Sequence, residues 1–405
     1  MAVVANGVHN SEPVVKFVGQ KISKVRWKPQ PSGAIASSDV FASGSWDDES
    51  ENWLSIWEYG HNEQNSEPQL VCEAMVPSDV TDMSFLDERR LVASFSNGCV
   101  ALFKYQTLRK SLDTVHAWEQ LHYLASGQMS PCTAVGVCGG VSLVTGGEDG
   151  RMNVIEVESQ QVTRNIDNAD NATVTSLKCT LLSEVLSTSS SGQLKLWDLK
   201  TAGSKPVKTI VLSGEYLSIQ SMDRHPHQPR LIVLGRGDGS LCFWDLRQES
   251  QPVQIIQGHS SNVWEVKFHP SQPNHLFSCS EDGSLWHWDA TQNSPATQLS
   301  SSQPFSPSVN MSRTQATGLF PTQSTPLTRH SHSTHRSSSP TLDQSISTRE
   351  ASPWLSGAVH QGKVDITNYL PENILSVNSL DIESNNLVCG SDCEGLFMVP
   401  DLMLR

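Results

Sequence analysis

Four residues in the second half of the chain have the side-chain types of a hydrolase site: His259, Ser278, Asp282 and Trp288. A serine activated by a histidine that a carboxylate orients is the arrangement of acyl-transfer enzymes. That serine must be exposed beside an oxyanion hole, and the chain has no Gly-x-Ser-x-Gly elbow. The histidine precedes one predicted strand, the serine lies in the next, and the aspartate lies at a tight turn. We therefore predict a structural role and no enzymatic activity.

No other motif in the sequence supports catalysis or a cofactor. The chain has no phosphate-binding or dinucleotide-binding glycine loop, no His-Glu-x-x-His and no kinase signature. His330, His332 and His335 form a cluster that could ligate a transition metal, but they lie in a stretch of biased composition, which is the interpretation we favour. Two cysteine pairs lack a second pair at zinc-site spacing: Cys132 with Cys138, and Cys389 with Cys393. We expect no cofactor and no metal.

Charge and composition exclude further classes of protein. The 405 residues carry a formal net charge of −14, whereas a protein that holds the nucleic-acid backbone needs a basic face. No run of 18 apolar residues and no signal-peptide pattern is present, so we expect a soluble intracellular protein without membrane insertion. Nine scattered cysteines, an odd number, are typical of reduced thiols in the cytosol or nucleus. We expect no direct binding of nucleic acid.

A repeat organises the chain and would position the four residues. Its unit is a turn glycine followed by a short alternating strand that ends on a large apolar residue, as strands rather than helices require. The first copy lacks the glycine and the last is looser. The copies are NWLSIW (52–57), NGCVALF (97–103), EDGRMNVI (148–155), SGQLKLWDL (191–199), GDGSLCFWDL (237–246), EDGSLWHWDA (281–290) and CEGLFMV (393–399).

The spacing of these copies predicts an all-β, seven-bladed WD40 β-propeller. The first six markers follow one another at intervals of 42 to 52 residues, close to the length of a four-stranded WD blade. An open ring would leave sheet edges in water, and too few residues follow the last marker to supply an outer strand. We therefore predict that residues 14–18 form the outer strand of blade 7 and close the ring.

The interval before the last marker is too long because of an insertion in blade 6, between its third strand and a fourth near residues 363–369. Residues 291–352 contain 26 Ser and Thr in 62 positions and no Lys, Tyr, Trp or Cys, so they cannot form a core and should be disordered. The predicted organisation is a flexible tail over 1–12, blades 1 to 6 over 13–290, the insertion, and the end of blade 6 with blade 7 over 353–405.

Five Ser or Thr residues of the insertion precede proline. In an exposed disordered loop they would be accessible to proline-directed kinases, and each phosphate would add about −1.5 to −2 charges beside nearby arginines. Ser-Pro and Thr-Pro pairs also arise by composition alone in such a stretch, and both interpretations stay open. The five are Ser294, Ser306, Thr325, Ser339 and Ser352.

Longer strings are more specific than the repeat. They run in order as KFVGQKISKVRWKP, FASGSWDDE, GEDGR, IDNADNATV, DRHPHQ, WEVKFHPSQPNHLFSCSEDGSLWHWDA, SVNSLD and LVCGSD. In this the chain resembles the WD-repeat nucleoporin family of about 43 kDa from the Y-shaped outer-ring scaffold of the nuclear pore, over nearly all of its length outside the insertion. In the same resemblance, the four residues around His259 look like the hydrogen-bonded tetrad of WD blades, in which the imidazole is a buried bridge between turn and strand.

The resemblance implies a structural subunit at the nuclear pore of the nuclear envelope. It implies docking, as a monomer within a hetero-oligomer, onto an α-helical scaffold nucleoporin, and roles in RNA and protein transport and at kinetochores in mitosis. The chain has 11 Phe but no Phe-Gly dipeptide, which agrees with a scaffold rather than a barrier-forming nucleoporin.

A second interpretation comes from Trp244, Asp245 and Arg247. Their WDxR string is similar to the box by which WD proteins dock on the adaptor of cullin-type ubiquitin ligases as substrate receptors. The motif is short, and an arginine at this position is more often just a solvated strand end. The acidic loop from Trp46 to Glu49 carries a tryptophan, a residue enriched at binding hot spots, although a solvated loop is the safer interpretation.

Overall fold

Seven antiparallel sheets of four strands each surround a central channel in the computed structural model. The structure describes residues 13–31, 38–47, 51–60, 67–181, 183–201, 203–212, 217–248, 251–293, 352–355, 364–370, 375–402 and 404. Within these ranges, no helix is both long and apolar enough to cross a lipid bilayer.

Each blade runs from an inner strand at the channel to an outer strand at the rim. Blade 7 begins the numbering because its outer strand is β1 (Val14–Phe17). Blade 1 contains β2 (Ile22–Trp27), β3 (Val40–Ser45), β4 (Asn52–Glu58) and β5 (Gln69–Val76). Blade 2 contains β6 (Val80–Phe85), β7 (Arg90–Phe95), β8 (Val100–Gln106) and β9 (Ser111–Trp118). Blade 3 contains β10 (Cys132–Cys138), β11 (Ser142–Gly147), β12 (Met152–Glu156) and β13 (Gln161–Ile166).

The remaining blades follow the same order. Blade 4 contains β14 (Val174–Leu181), β15 (Glu184–Ser189), β16 (Gln193–Asp198) and β17 (Lys208–Val211). Blade 5 contains β18 (Ile219–Arg224), β19 (Leu231–Arg236), β20 (Ser240–Asp245) and β21 (Gln254–Gln257). Blade 6 contains β22 (Val263–Phe268), β23 (His275–Ser280), β24 (Leu285–Asp289) and β25 (Asp365–Asn368). Blade 7 is completed by β26 (Val377–Glu383), β27 (Asn386–Ser391) and β28 (Gly395–Val399). Among the described residues, short 3-10 helices lie at Thr291–Asn293 and Pro353–Leu355.

The predicted seven-bladed propeller and its closure are confirmed. Strand β1 pairs antiparallel with β28, in register from Val14 opposite Met398 to Phe17 opposite Gly395. The next residue continues the link, since the Val18 amide donates to the Glu394 carbonyl at 2.8 Å. The first strand of the chain therefore completes the last blade, and both ends of the propeller meet in one sheet.

The insertion is confirmed to interrupt blade 6, because β24 and β25 are paired neighbours although 75 residues lie between Asp289 and Asp365. The predicted disorder of residues 291–352 concerns positions of which 294–351 lie outside the described residues. The predicted flexible tail over 1–12 also lies outside them.

The turn glycine of the repeat has a physical cause at Gly239. This residue has a φ of 82°, in the left-handed region that side-chain-bearing residues rarely adopt. A Cβ at this position would also overlap the carbonyl oxygen of His259, in the loop that enters the next blade. Glycine is therefore needed both for the turn and for the close approach of neighbouring blades.

Polar side chains join the inner strands of neighbouring blades. Every inner strand has a register shift at its second residue, where the pairing with its neighbour skips one position. Several of the skipped side chains hydrogen-bond to the first carbonyl of the next inner strand. Thr133 donates to Val174 at 2.5 Å, and Asn378 donates to Ile22 at 2.9 Å. The skipped residues are Ser23, Thr81, Thr133, Thr175, Gln220, Trp264 and Asn378.

Candidate functional site

The structure brings the four residues of the apparent hydrolase site together. The Nε2 atom of His259 lies 2.7 Å from the Ser278 hydroxyl, which also accepts a 2.8 Å hydrogen bond from the Trp288 indole. On the other side of the ring, Nδ1 lies 3.3 Å from an oxygen of Asp282. The imidazole thus links the loop before β22 to strand β23 and to the turn before β24.

The electrostatics of this network favour a fixed carboxylate. Burial raises the pKa of Asp282, but hydrogen bonds from His259 and Ser284 outweigh that effect and hold the pKa well below its usual range. The Ser278 side chain has no solvent exposure, and both of its neighbours in the network already bond its hydroxyl. A substrate therefore could not reach this oxygen without opening the blade.

Replacement of His259 by Ala is expected to lower the free energy of unfolding by about 2 kcal/mol, because Ser278 and Asp282 would lose buried partners. The measurement is equilibrium unfolding in urea. His227→Ala is the matched control, since that ring is exposed and its loss should change stability by less than about 0.5 kcal/mol. Equal effects of the two variants would contradict a structural role for the network.

A second network of this kind lies in blade 3 and was missed by the sequence analysis. His122 is fully buried, with Nδ1 2.9 Å from Asp149 and Nε2 2.9 Å from the Thr145 hydroxyl. Asn153 adds a 3.1 Å hydrogen bond to the Leu121 carbonyl. A signal was present: a hydroxyl residue four positions before the turn aspartate occurs here as it does in blade 6. The sequence pattern did not reveal this network, because His122 lacks the preceding glycine that marks His259.

The central channel contains a cavity of about 440 Å³, and most charged side chains of its lining pair with one another. Arg26 lies 3.2 Å from Asp82 and 2.9 Å from Glu265, and Lys267 lies 2.6 Å from Asp381. Burial raises the pKa of Glu265, but Arg26 and Lys267 more than offset it and hold that pKa far below normal. Within the described ranges, no group of three or more His, Cys, Asp or Glu could hold a metal ion. The charged side chains of the channel are therefore held in ion pairs.

The predicted phosphorylation sites divide into two groups. Ser294, Ser306, Thr325 and Ser339 lie outside the described residues, as do the three histidines of the same stretch. Ser352 is described, and the expectation that it lies in an exposed loop is wrong: the residue is only 4% exposed. Its burial follows from the 3-10 turn after it, which packs into the propeller.

The structure places Trp244, Asp245 and Arg247 together at the end of the third strand of blade 5, where Arg247 is paired with Asp245. Trp244 and Asp245 are buried, whereas the Arg247 side chain is 62% exposed. Its Nε atom donates to both Asp245 oxygens at 2.9 Å, and its backbone amide donates to the same carboxylate at 2.9 Å. Hydrogen bonds from Arg247 hold the pKa of Asp245 below its usual range. A docking partner would have to share or displace this contact.

The Trp46 loop is half-described. Trp46 is 37% exposed, its indole donates to Asp392 at 3.0 Å, and the Lys21 ammonium lies 5.5 Å from its ring centroid. Asp48 and Glu49 lie outside the described residues. The exposed ring is consistent with either interpretation of this loop.

The expectation that all cysteines are reduced is corrected at one pair. Cys138 and Cys179 form a disulfide, with Cα atoms 5.3 Å apart. They lie on β10 and β14, adjacent inner strands of blades 3 and 4, so the pairing crosses a blade interface and leaves no trace in sequence spacing. The other seven cysteines are free thiols.

Two buried histidines terminate the inner strands of blades 5 and 6. The His225 Nδ1 atom accepts the backbone amide of Gln228 at 3.0 Å, and the His269 Nδ1 atom accepts that of Gln272 at 3.1 Å. Only an unprotonated nitrogen can accept these bonds. Burial lowers the pKa of His225 to about 4 and also lowers the pKa of His269.

The protein is therefore expected to lose stability in mild acid. Both folded-state pKa values lie below the unfolded value of 6.5, so their contribution is present above pH 6.5 and is lost as the pH falls towards about 4. Each histidine contributes a slope of up to about 1.4 kcal/mol per pH unit. A His225→Asn, His269→Asn double variant keeps an acceptor that does not titrate and should flatten the slope. His227→Asn is the control, and an unchanged slope in the double variant would contradict the assignment.

Comparison with known proteins adds family information to this geometry. Residues 250–289 match the model of the WD domain, G-beta repeat, a range that ends with the third strand of blade 6 and includes the His259 network. The chain is 38% identical to nucleoporin Nup43 of Mus musculus and 38% identical to that of Homo sapiens, over 96% of this chain and 99% of each relative. It is 32% identical to nuclear pore complex protein nup43 of Dictyostelium discoideum over 31% of this chain and 30% of the relative.

Proposed function

The chain belongs to the Nup43 family of nucleoporins, and from this premise we propose that it is a non-enzymatic scaffold subunit of the nuclear pore complex. The observation that carries the proposal is the similarity over 96% of the chain, which includes every blade rather than one repeat. The site chemistry supports it, since Ser278, the serine of the hydrolase-like network, is fully buried. β-Propellers commonly serve as platforms for partner proteins, and we infer that this one acts through its surfaces.

The finer proposal is a place in the Y-shaped outer ring, at the nuclear envelope in interphase and at kinetochores in mitosis. The protein would bind an α-helical scaffold nucleoporin as a single copy within a hetero-oligomer, and would support RNA and protein transport through the stability of the pore. Neither direct nucleic-acid binding nor membrane insertion is part of this role.

Affinity purification of the tagged full-length chain from its own cells tests the proposal. We expect co-purification of outer-ring nucleoporins in equal amounts with the bait and a rim of tagged protein at the nuclear envelope. Cross-linking of that complex would identify the blade that meets the helical partner. Recovery without any nucleoporin, or a diffuse distribution in the cell, would contradict the proposal.

A receptor role in a cullin-type ubiquitin ligase is the second candidate, and the exposure of Arg247 favours it. Blade 4 offers a matched control: Lys200 follows Trp197 and Asp198 at the same spacing, and its amide bonds Asp198 at 2.8 Å as that of Arg247 bonds Asp245. Recovery of a cullin adaptor that is lost on Arg247→Ala but kept on Lys200→Ala would support this role. A scaffold subunit should show no adaptor in any of the three samples.

A further inference from the structure

A single tryptophan fixes the end of the insertion in the junction between blades 5 and 6. Trp354 has no solvent exposure, and its ring stacks on Phe243 with centroids 4.9 Å apart and planes 8° from parallel. It meets the edge of Phe268 at 6.2 Å, and its indole donates to the Pro273 carbonyl at 2.7 Å. Pro353 beside it is also buried, and Leu355 packs against the same core, so the whole four-residue turn is held in this junction with Trp354 as its largest side chain.

Ser352, directly before Pro353, is a buried polar residue. Ser352 is 4% exposed, and within the described part of the chain its hydroxyl has no hydrogen-bond partner. Its carbonyl accepts the amide of Leu355 at 2.9 Å, which ties the serine to the turn that carries Trp354. Burial of Ser352 and burial of Trp354 are therefore parts of one arrangement. Pro353 follows directly, which makes Ser352 a substrate sequence for proline-directed kinases.

We propose that Ser352 is a phosphorylation site whose modification releases Trp354 from the junction between blades 5 and 6. A proline-directed kinase transfers the γ-phosphoryl group of ATP to the Ser352 oxygen. The new O–P bond forms as the bond to the β-phosphate oxygen of ATP breaks, the hydroxyl proton leaves to a base on the kinase, and ADP departs.

The order of events follows from the burial. A kinase cannot reach a serine that is 4% exposed, so it acts on the minor population in which the turn has left the junction between blades 5 and 6. The phosphate then prevents return, because a dianion costs far more to bury than the hydroxyl it replaces, and among the described residues no partner lies within hydrogen-bond distance of that oxygen. The modification thus converts a transient opening into a stable one.

The first experiment uses the full chain labelled with 5-fluorotryptophan, with phosphoserine incorporated at position 352. The Trp354 signal in the 19F spectrum is assigned by its loss in Trp354→Phe. We expect that signal to move to a solvent-exposed position in the phosphorylated protein while the other tryptophan signals stay in place. Phosphoserine at Ser339 is the matched control and should leave the Trp354 signal unchanged. An unmoved signal, an equal effect of Ser339, or collapse of all signals would overturn the proposal.

A second experiment measures how readily a kinase reaches Ser352, rather than what phosphorylation does to the turn. A purified proline-directed kinase is given the full chain, and the rate at Ser352 is divided by the rate at Ser339 in the same molecule. Trp354→Leu weakens the anchor and should raise this ratio at least about tenfold, because it enlarges the open population. A ratio equal to that of the wild type would show that burial of Trp354 does not control the access of the kinase to Ser352, and would overturn the proposal.

Discussion

Removal of residues 1–19 is expected to lower the melting temperature by about 10 °C, because it deletes the outer strand of blade 7. The loss comprises the backbone hydrogen bonds of β1 to β28 and the packing of Val14 and Val18 against the core between blades 7 and 1. Backbone bonds at about 1 kcal/mol each and two part-buried valines together amount to roughly 5 kcal/mol. In a protein of this size, that corresponds to a shift on the order of 10 °C.

Two further samples isolate the strand as the cause. Deletion of residues 1–12 alone leaves β1 intact and should leave the melting temperature within about 1 °C of the full chain. A synthetic peptide of residues 13–20, added to the shortened protein, should restore part of the loss by pairing with the free edge of β28. Equal melting of all samples in calorimetry would show that the ring closes without β1.

The parts of this fold that were predictable from sequence are those that repeat or that geometry demands. The turn glycine recurs in six blades and the large apolar residue of the third strand in all seven, because every blade meets the same kind of neighbours. The pairing of β1 followed from the requirement that a propeller leave no open edge. Even the interruption of blade 6 was predictable, since one interval was too long for a single blade.

The parts that were not predictable depend on single long-range contacts. Trp354 lies just after a stretch of biased composition, and its stacking partner Phe243 is more than one hundred positions away in another blade. The composition of residues 291–352 therefore placed Ser352 in an exposed loop, although the turn that follows holds it inside. Cys138 and Cys179 likewise meet only because β10 and β14 are adjacent inner strands.

The charge network of the channel was also not predictable from sequence, because it too depends on long-range contacts. Among single substitutions, we expect the largest loss of stability here. Arg26 on blade 1 contacts Asp82 on blade 2, Glu265 on blade 6 and the Ser379 hydroxyl on blade 7, at 2.9 to 3.2 Å. Glu265 also accepts the Ser379 hydroxyl at 2.6 Å and the Leu380 amide at 3.1 Å. One guanidinium thus joins four blades at the centre of the ring.

Replacement of Arg26 by Met is expected to cost about 3–5 kcal/mol of unfolding free energy, because it leaves the Glu265 carboxylate buried with its main partner gone. Glu265→Met should cost a similar amount by isolating Arg26. The double variant should cost less than the sum of the two by at least about 2 kcal/mol, since it removes both members of the buried pair. The measurement is a double-mutant cycle by urea unfolding.

The exposed pair of Lys16 and Glu67 gives the matched control for this cycle. Its atoms are 3.1 Å apart, against 2.9 Å for the buried pair of Arg26 and Glu265, but the two side chains are 31% and 54% exposed. Screening by water limits such a pair to a coupling below about 1 kcal/mol. The two cycles therefore compare the same charge contact at the rim and at the centre of the ring. Equal coupling in both would mean that Arg26 does not hold the blades together, and that the ring depends on its strands and hydroxyl links alone.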